Sequence, residues 1–163
     1  MPPEPARRNQ IAPLFTLACV IGYFTLTFLP TLRVVTGMET YDFASYYYAL
    51  HAALDGANPY DAEALVERAR ADGVGNAVYP FFYPPPALLF FLPAAGFSLR
   101  DAITGMYLLN NVALATAGWV LWVLLGRRKD LLPVLAFFLL TFSPIQINNQ
   151  WGQVNLWVLL LLV

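Results

Sequence analysis

The chain has 163 residues, 59% hydrophobic and only 12% charged, with a formal net charge of −1. A soluble domain carries about 25% charged residues; here the shortfall falls in long uncharged blocks, the pattern of an integral membrane protein. The charge balance argues against nucleic acid as a partner, and the single cysteine, Cys19, excludes an intrachain disulfide.

Residues 1–10, MPPEPARRNQ, form a short polar tail with Arg7 and Arg8. Ile11 to Leu32 carry no charge, so a first transmembrane helix is expected over 11–35, with Pro13 near its start and Pro30 near its end. The run is longer than a signal-peptide core, and no small-x-small cleavage site follows, so it reads as a retained helix. Cys19 within it reads as a small buried apolar residue.

Residues 36–100 read as one large extracytoplasmic loop. Asp42 stands where an N-cap is expected for a helix over 43–55 that Gly56 can end. Phe43, Tyr47, Leu50 and Leu54 recur at i, i+4, i+7 and i+11 as one apolar stripe. That pattern predicts a helix lying along the membrane surface with its aromatics at headgroup level. Asn58, Pro59 and Tyr60 read as a turn. Asp61 opens a second surface helix over 62–72, ended by Gly73, with Glu63, Glu67, Arg68 and Arg70 on a solvated face. Acidic residues outnumber Arg68 and Arg70 across 36–83, so the loop is no electrostatic anchor for anionic lipid.

The segment 84–97, PPPALLFFLPAAGF, begins as a rigid extended run because proline fixes φ and lacks the amide donor. As a helix its roughly fourteen residues rise only about 21 Å, short of the roughly 30 Å hydrocarbon core. If it spans, Arg127, Arg128 and Lys129 fall outside; if it only dips into the membrane, they lie inside with Arg7 and Arg8. The second arrangement obeys the positive-inside rule and is the one expected. Ala102 to Gly126 carry no charge and form the second transmembrane helix, over 102–126. A third is expected over 131–147, with Pro133 tolerated in its first turn. The polar connection NNQWGQVN, over 148–155, then emerges on the side of Asp42, and a fourth helix starts over 153–163. Its apolar run is about half of the roughly 20 residues that span a membrane, so the sequence reads as the N-terminal part of a longer protein.

The enzyme signatures of soluble folds are absent: no Gly-rich phosphate loop, no Gly-x-Ser-x-Gly, no His-x-x-x-His, and only one histidine, His51. No set of side chains has the pattern of a metal cage, and neither metal nor cofactor is expected.

The stretches YDFASYYYALHAALDGANPYD, YPFFYPPPALLFFLP, LLNN and NNQWGQVNLWVLLLL follow one another in this order. Together they resemble glycosyltransferase family 87, membrane enzymes of the GT-C fold that use polyprenyl-phosphate mannose. The Asp-Phe-x-x-Tyr-Tyr-x-Ala block followed by Gly-x-Asn-Pro-Tyr is the more specific part. The resemblance implies an all-α polytopic membrane protein of the cell membrane. It would transfer a sugar, mannose foremost, from a polyprenyl-phosphate carrier to a lipid or polysaccharide acceptor on the extracytoplasmic side, by single displacement with inversion. It also implies that the aspartate of the first outer loop, matched here by Asp42, is the general base. A positioned carboxylate contributes about 10²–10⁴-fold to such a step.

Around Asp42, the candidate substrate-binding residues are Tyr46, Tyr47, His51, Trp151, Gln153 and Asn155. Each also has a plain reading: interfacial packing for the aromatics, a surface-helix residue for His51, helix capping or interhelical bonding for the amides. Arg100 is the candidate phosphate ligand, with snorkelling as its alternative. Asn110 and Asn111 read as interhelical glue. The competing function is a non-enzymatic membrane protein, a transporter or lipid-carrier flippase subunit, which calls for internal repeats and paired intramembrane charges; neither is visible in this sequence.

Overall fold

Proline placement governs where the long apolar runs bend. The computed structural model describes residues 5–35, 41–74 and 78–162. Helix α1 (Pro5–Tyr23) passes into a π-helical segment, Phe24–Phe28, and continues as α2 (Leu29–Val35). Pro30 has no N–H to give, and its ring crowds the preceding turn. That turn widens, and the Leu29 N–H reaches the Phe24 carbonyl, five residues back. Then come α3 (Tyr41–Leu54), α4 (Ala62–Ala71), a 3₁₀ turn Pro85–Ala87, α5 (Leu88–Phe91) and a second 3₁₀ turn Leu92–Gly96. Helix α6 (Leu99–Leu124), α7 (Leu132–Thr141), α8 (Ser143–Trp151) and α9 (Asn155–Leu162) complete the chain. The protein is all-α, with no strand among the described residues.

Two helical stretches, Ile11–Arg33 and Leu99–Leu124, are long and apolar enough to cross a membrane, and α7 with α8 makes a third if that bent pair is one span. Leu14 and Leu26 on the first stretch stand exposed, which suits lipid rather than water. Pro85–Gly96 is apolar but too short to cross.

The helix expected over 131–147 is not continuous. It bends by 47° between α7 and α8, and Phe142 at the break is extended, with φ −68° and ψ 114°. Pro144 is the cause. In an unbroken helix its N–H would pair with the Leu140 carbonyl, and proline has none. The side chain of Gln146 supplies the missing donor, Nε2 to the Leu140 oxygen at 2.8 Å. Helix α8 then takes in Asn148 to Trp151, so the polar connection expected over 148–155 shrinks to Gly152–Val154.

The chain divides into two compact units: residues 1–32, 109–149 and 154–163, and residues 33–108 and 150–153. In the first, α1 packs along α7. Ala113, Leu114 and Leu156 form the buried centre, with Leu139, Leu140 and Trp157 against it. Several polar groups in this apolar setting are paired, which offsets the cost of burying them, although Trp122 Nε1 and Asn149 Oδ1 are buried without a partner among the described residues. Tyr23 donates its hydroxyl to Asn111 Oδ1 at 2.5 Å and accepts from Asn149 Nδ2 at 3.2 Å. Trp157 Nε1 donates to Asn110 Oδ1 at 3.0 Å. The two asparagines of α6 are thus interhelical ties.

The second unit is built around α3. Residues 43–50 are all buried, not only the stripe Phe43, Tyr47 and Leu50. Leu54, the last member of that stripe, is instead 56% exposed. Helix α3 is therefore the hub of this unit rather than a helix resting on one face. Its other sides are covered by Phe81, Leu88 and Phe91 from the segment that folds back over it, and by Leu65 of α4. Helix α4 itself is amphipathic: Leu65 and Ala69 are buried, while Glu67 and Arg70 face outward. Asp61 caps it, accepting the Ala64 N–H at 3.1 Å, and Gly73 at φ +76° ends it.

Phe91 joins α5 to this hub. Its ring stacks on Tyr46 at 4.6 Å and meets Phe43 edge-on at 6.2 Å. Phe91→Ala should lower stability by about 3–5 kcal/mol, read as a fall in thermal unfolding temperature of the purified protein in detergent. A change within experimental scatter would show that the hub does not need this ring.

Candidate functional site

Asp42 lies in the first turn of α3, which already includes Tyr41, so it sits inside the helix rather than at its N-cap. A negative charge there faces the positive end of the helix dipole. The side chain is half-buried. Gln153 Nε2 donates to Asp42 Oδ2 at 2.6 Å, and no other hydrogen-bond partner of this carboxylate is found among the described residues. A carboxylate can only accept, so the amide nitrogen, not its oxygen, must face it.

A pocket of about 460 Å³ opens beside this pair within the second unit. Asp42, Ser45 and Tyr46 line it from α3, Trp151 from the end of α8, and Tyr79, Phe82 and Tyr83 from the segment before the prolines. That segment is pinned at several points. Ser45 Oγ accepts the backbone N–H of Tyr79 at 2.8 Å. Tyr60 donates its hydroxyl to the Tyr83 carbonyl at 2.9 Å, and Tyr46 donates to the Tyr83 hydroxyl at 3.3 Å. The turn that presents Tyr60 is closed by Asn58, whose Oδ1 accepts the Tyr60 N–H at 3.0 Å. The result is an aromatic wall with a carboxylate set in it. Phe82 is 82% exposed and Trp151 39%, so the wall stands open. Such a surface suits a sugar: its C–H face packs on rings, and its hydroxyls reach polar groups.

Of the residues singled out in the sequence, Asp42, Tyr46, Trp151 and Gln153 come together here. The others stand elsewhere. Tyr47 is buried and donates its hydroxyl to the Phe97 carbonyl at 2.9 Å. His51 holds its Nδ1 2.9 Å from the Tyr47 carbonyl, and its ring lies 4.2 Å from that of Tyr47. Neither lines the pocket. Arg100 is exposed in the first turn of α6 and does not line it either. Asn155 belongs to the first unit, where its backbone N–H is capped by Asn148 Oδ1 at 3.1 Å. Sequence reasoning did not single out Ser45, Tyr79, Phe82 or Tyr83 as site residues. The signal was present in the run Tyr-Pro-Phe-Phe-Tyr-Pro-Pro, where prolines stiffen a ribbon dense in aromatic rings.

Burial pushes the phenols of Tyr46 and Tyr48 well above the ordinary value of 10.0, helped by the Tyr83 hydroxyl bonded to Tyr46 and by the Asp72 carboxylate bonded to Tyr48. The folded chain therefore favours the neutral phenols. Their contribution to stability is fully present below the unfolded value of 10.0 and is lost as pH rises through the higher folded values. Unfolding temperatures followed from pH 8 to 12 should fall steeply above about pH 10, and less steeply in Tyr48→Phe. Equal alkaline slopes for the two proteins would remove Tyr48 from this account.

A family model described as glycosyltransferase family 87 matches residues 81–163. The match includes Phe82, Tyr83, Trp151 and Gln153 of the pocket. Neither the curated proteins nor the solved structures contain a match.

Proposed function

The chain belongs to glycosyltransferase family 87, and we propose that it transfers a sugar, mannose foremost, from a polyprenyl-phosphate carrier to a lipid or glycan hydroxyl, with Asp42 as the base. The observation that carries this reading is the Asp42 carboxylate, fixed by Gln153 and set in an open aromatic pocket. A sugar or lipid hydroxyl is a weak nucleophile until its proton is leaving. On this reading the acceptor oxygen attacks the anomeric carbon from the face opposite the phosphate. The new C–O bond forms as the old one breaks, the electron pair departs with the phosphate, and the acceptor proton passes to Asp42. Inversion follows from the single displacement.

A membrane-anchored donor fits the architecture, because only its sugar phosphate has to leave the apolar phase. The topology we propose has a cytoplasmic N-terminus and puts residues 36–100 outside, with 84–97 dipping into the membrane. Arg127, Arg128 and Lys129 then lie on the cytoplasmic side. The fold we propose is GT-C.

Asp42→Asn keeps the size of the side chain and removes its basicity. In the complete protein it should lower transfer of labelled sugar from polyprenyl-phosphate donor by about 10²–10⁴-fold, with membrane levels unchanged. Undiminished transfer by that variant would defeat the assignment of the base, and transfer only from a nucleotide sugar would defeat the donor class.

A further inference from the structure

The loop between α8 and α9 reaches Asp42 in an unusual way. Gly152 has φ +67°, a backbone shape that side chains resist. A Cβ placed on it would stand 2.6 Å from Phe43 Cβ, well inside van der Waals contact. The backbone at residue 152 is thus seated directly on the first turn of α3, against the residue that follows Asp42. This seat presents the next side chain, Gln153, to the carboxylate at 2.6 Å. Phe43 is itself held, 2% exposed, by the rings of Tyr46 and Phe91. Glycine and glutamine therefore act as a two-residue clamp. The first brings the backbone close, and the second grips one oxygen of Asp42.

We propose that Gln153 is a positioning residue for the proton-accepting carboxylate of Asp42, rather than a sugar-binding amide. This rests on the reading of Asp42 as the base. A carboxylate in the first helical turn can rotate about its two side-chain bonds. A donor fixed on Oδ2 selects one orientation and leaves Oδ1 to meet the acceptor hydroxyl. The hydrogen bond is charge-assisted, the stronger kind. Its loss frees the base to leave its productive orientation, and misplacement of a reacting group by about 1 Å can cost about 100-fold in rate.

The test uses the complete protein in membranes, with polyprenyl-phosphate mannose as donor. Gln153→Ala should lower kcat by about 10- to 100-fold and leave KM for donor and acceptor within about twofold. Gln153→Met, close to glutamine in volume and without the donor, should behave the same way and guards against a folding defect in the alanine variant. In an Asp42→Asn background, Gln153→Ala should change the residual rate by less than about twofold, because the amide acts only through that carboxylate. A raised KM with unchanged kcat would instead make Gln153 a substrate ligand and overturn the proposal. Equal losses in the two backgrounds, or no loss in either, would also overturn it. If Asp42→Asn transfers sugar at the full rate, the base reading fails first. If Asp42→Asn is impaired while Gln153→Ala is not, only the positioning role fails.

Discussion

The burial of α3 is the constraint on which the second unit depends. Eight consecutive residues, 43–50, are removed from solvent, and three of them are tyrosines whose hydroxyls have to be paired. Each finds a partner on a different segment: Tyr46 the Tyr83 hydroxyl, Tyr47 the Phe97 carbonyl, Tyr48 the Asp72 carboxylate. The three bonds tie α3 to the aromatic ribbon, to the turn before α6 and to the end of α4. Stability and site geometry thus have a common source. The ribbon that covers α3 with Phe81 also walls the pocket with Tyr79, Phe82 and Tyr83, beside the half-buried Asp42 in the first turn of α3.

The pocket has a division of labour that suits the proposed chemistry. Its walls are rings of the kind on which an apolar sugar face can pack, and its polar groups are few. Much of the polar capacity of the ribbon is spent on holding it in place, through Ser45, Tyr60 and Tyr46. Asp42 differs, since its bond to Gln153 engages one oxygen. On the proposed reading, a pinned wall holds the sugar while a carboxylate fixed through one oxygen meets the hydroxyl that must be oriented before it reacts.

The first unit answers a different problem, that of prolines and amides in apolar helices. Pro30 is absorbed by a π-helical turn and Pro144 by a break whose orphan carbonyl is taken by the Gln146 side chain. Asn110 and Asn149 are buried and Asn111 half-buried, each with a partner on another helix. Threonines on these helices bond within them, as Thr16 does to the Ala12 carbonyl and Thr116 to the Val112 carbonyl. Such outlets offset the cost of placing polar residues in an apolar surrounding.

What could be read from the sequence alone was what local chemistry decides. Uncharged runs of spanning length marked the long helices, Asp61 and Gly73 bounded α4, and the resemblance to a glycosyltransferase family singled out Asp42, with Gln153 among the residues expected near it. Those signals depend on residues a few positions apart or on a short motif. Tertiary structure alone decided the rest. It wrapped α3 on all sides where periodicity showed one stripe, because the covering residues lie tens of positions later in the chain. It moved Tyr47 and His51 away from the pocket and brought in Ser45, Tyr79, Phe82 and Tyr83. It also turned Gln153 toward the carboxylate through the left-handed backbone at Gly152. Whether an amide meets a sugar or a neighbouring aspartate depends on which backbones can approach within contact distance, and a linear pattern does not carry that information.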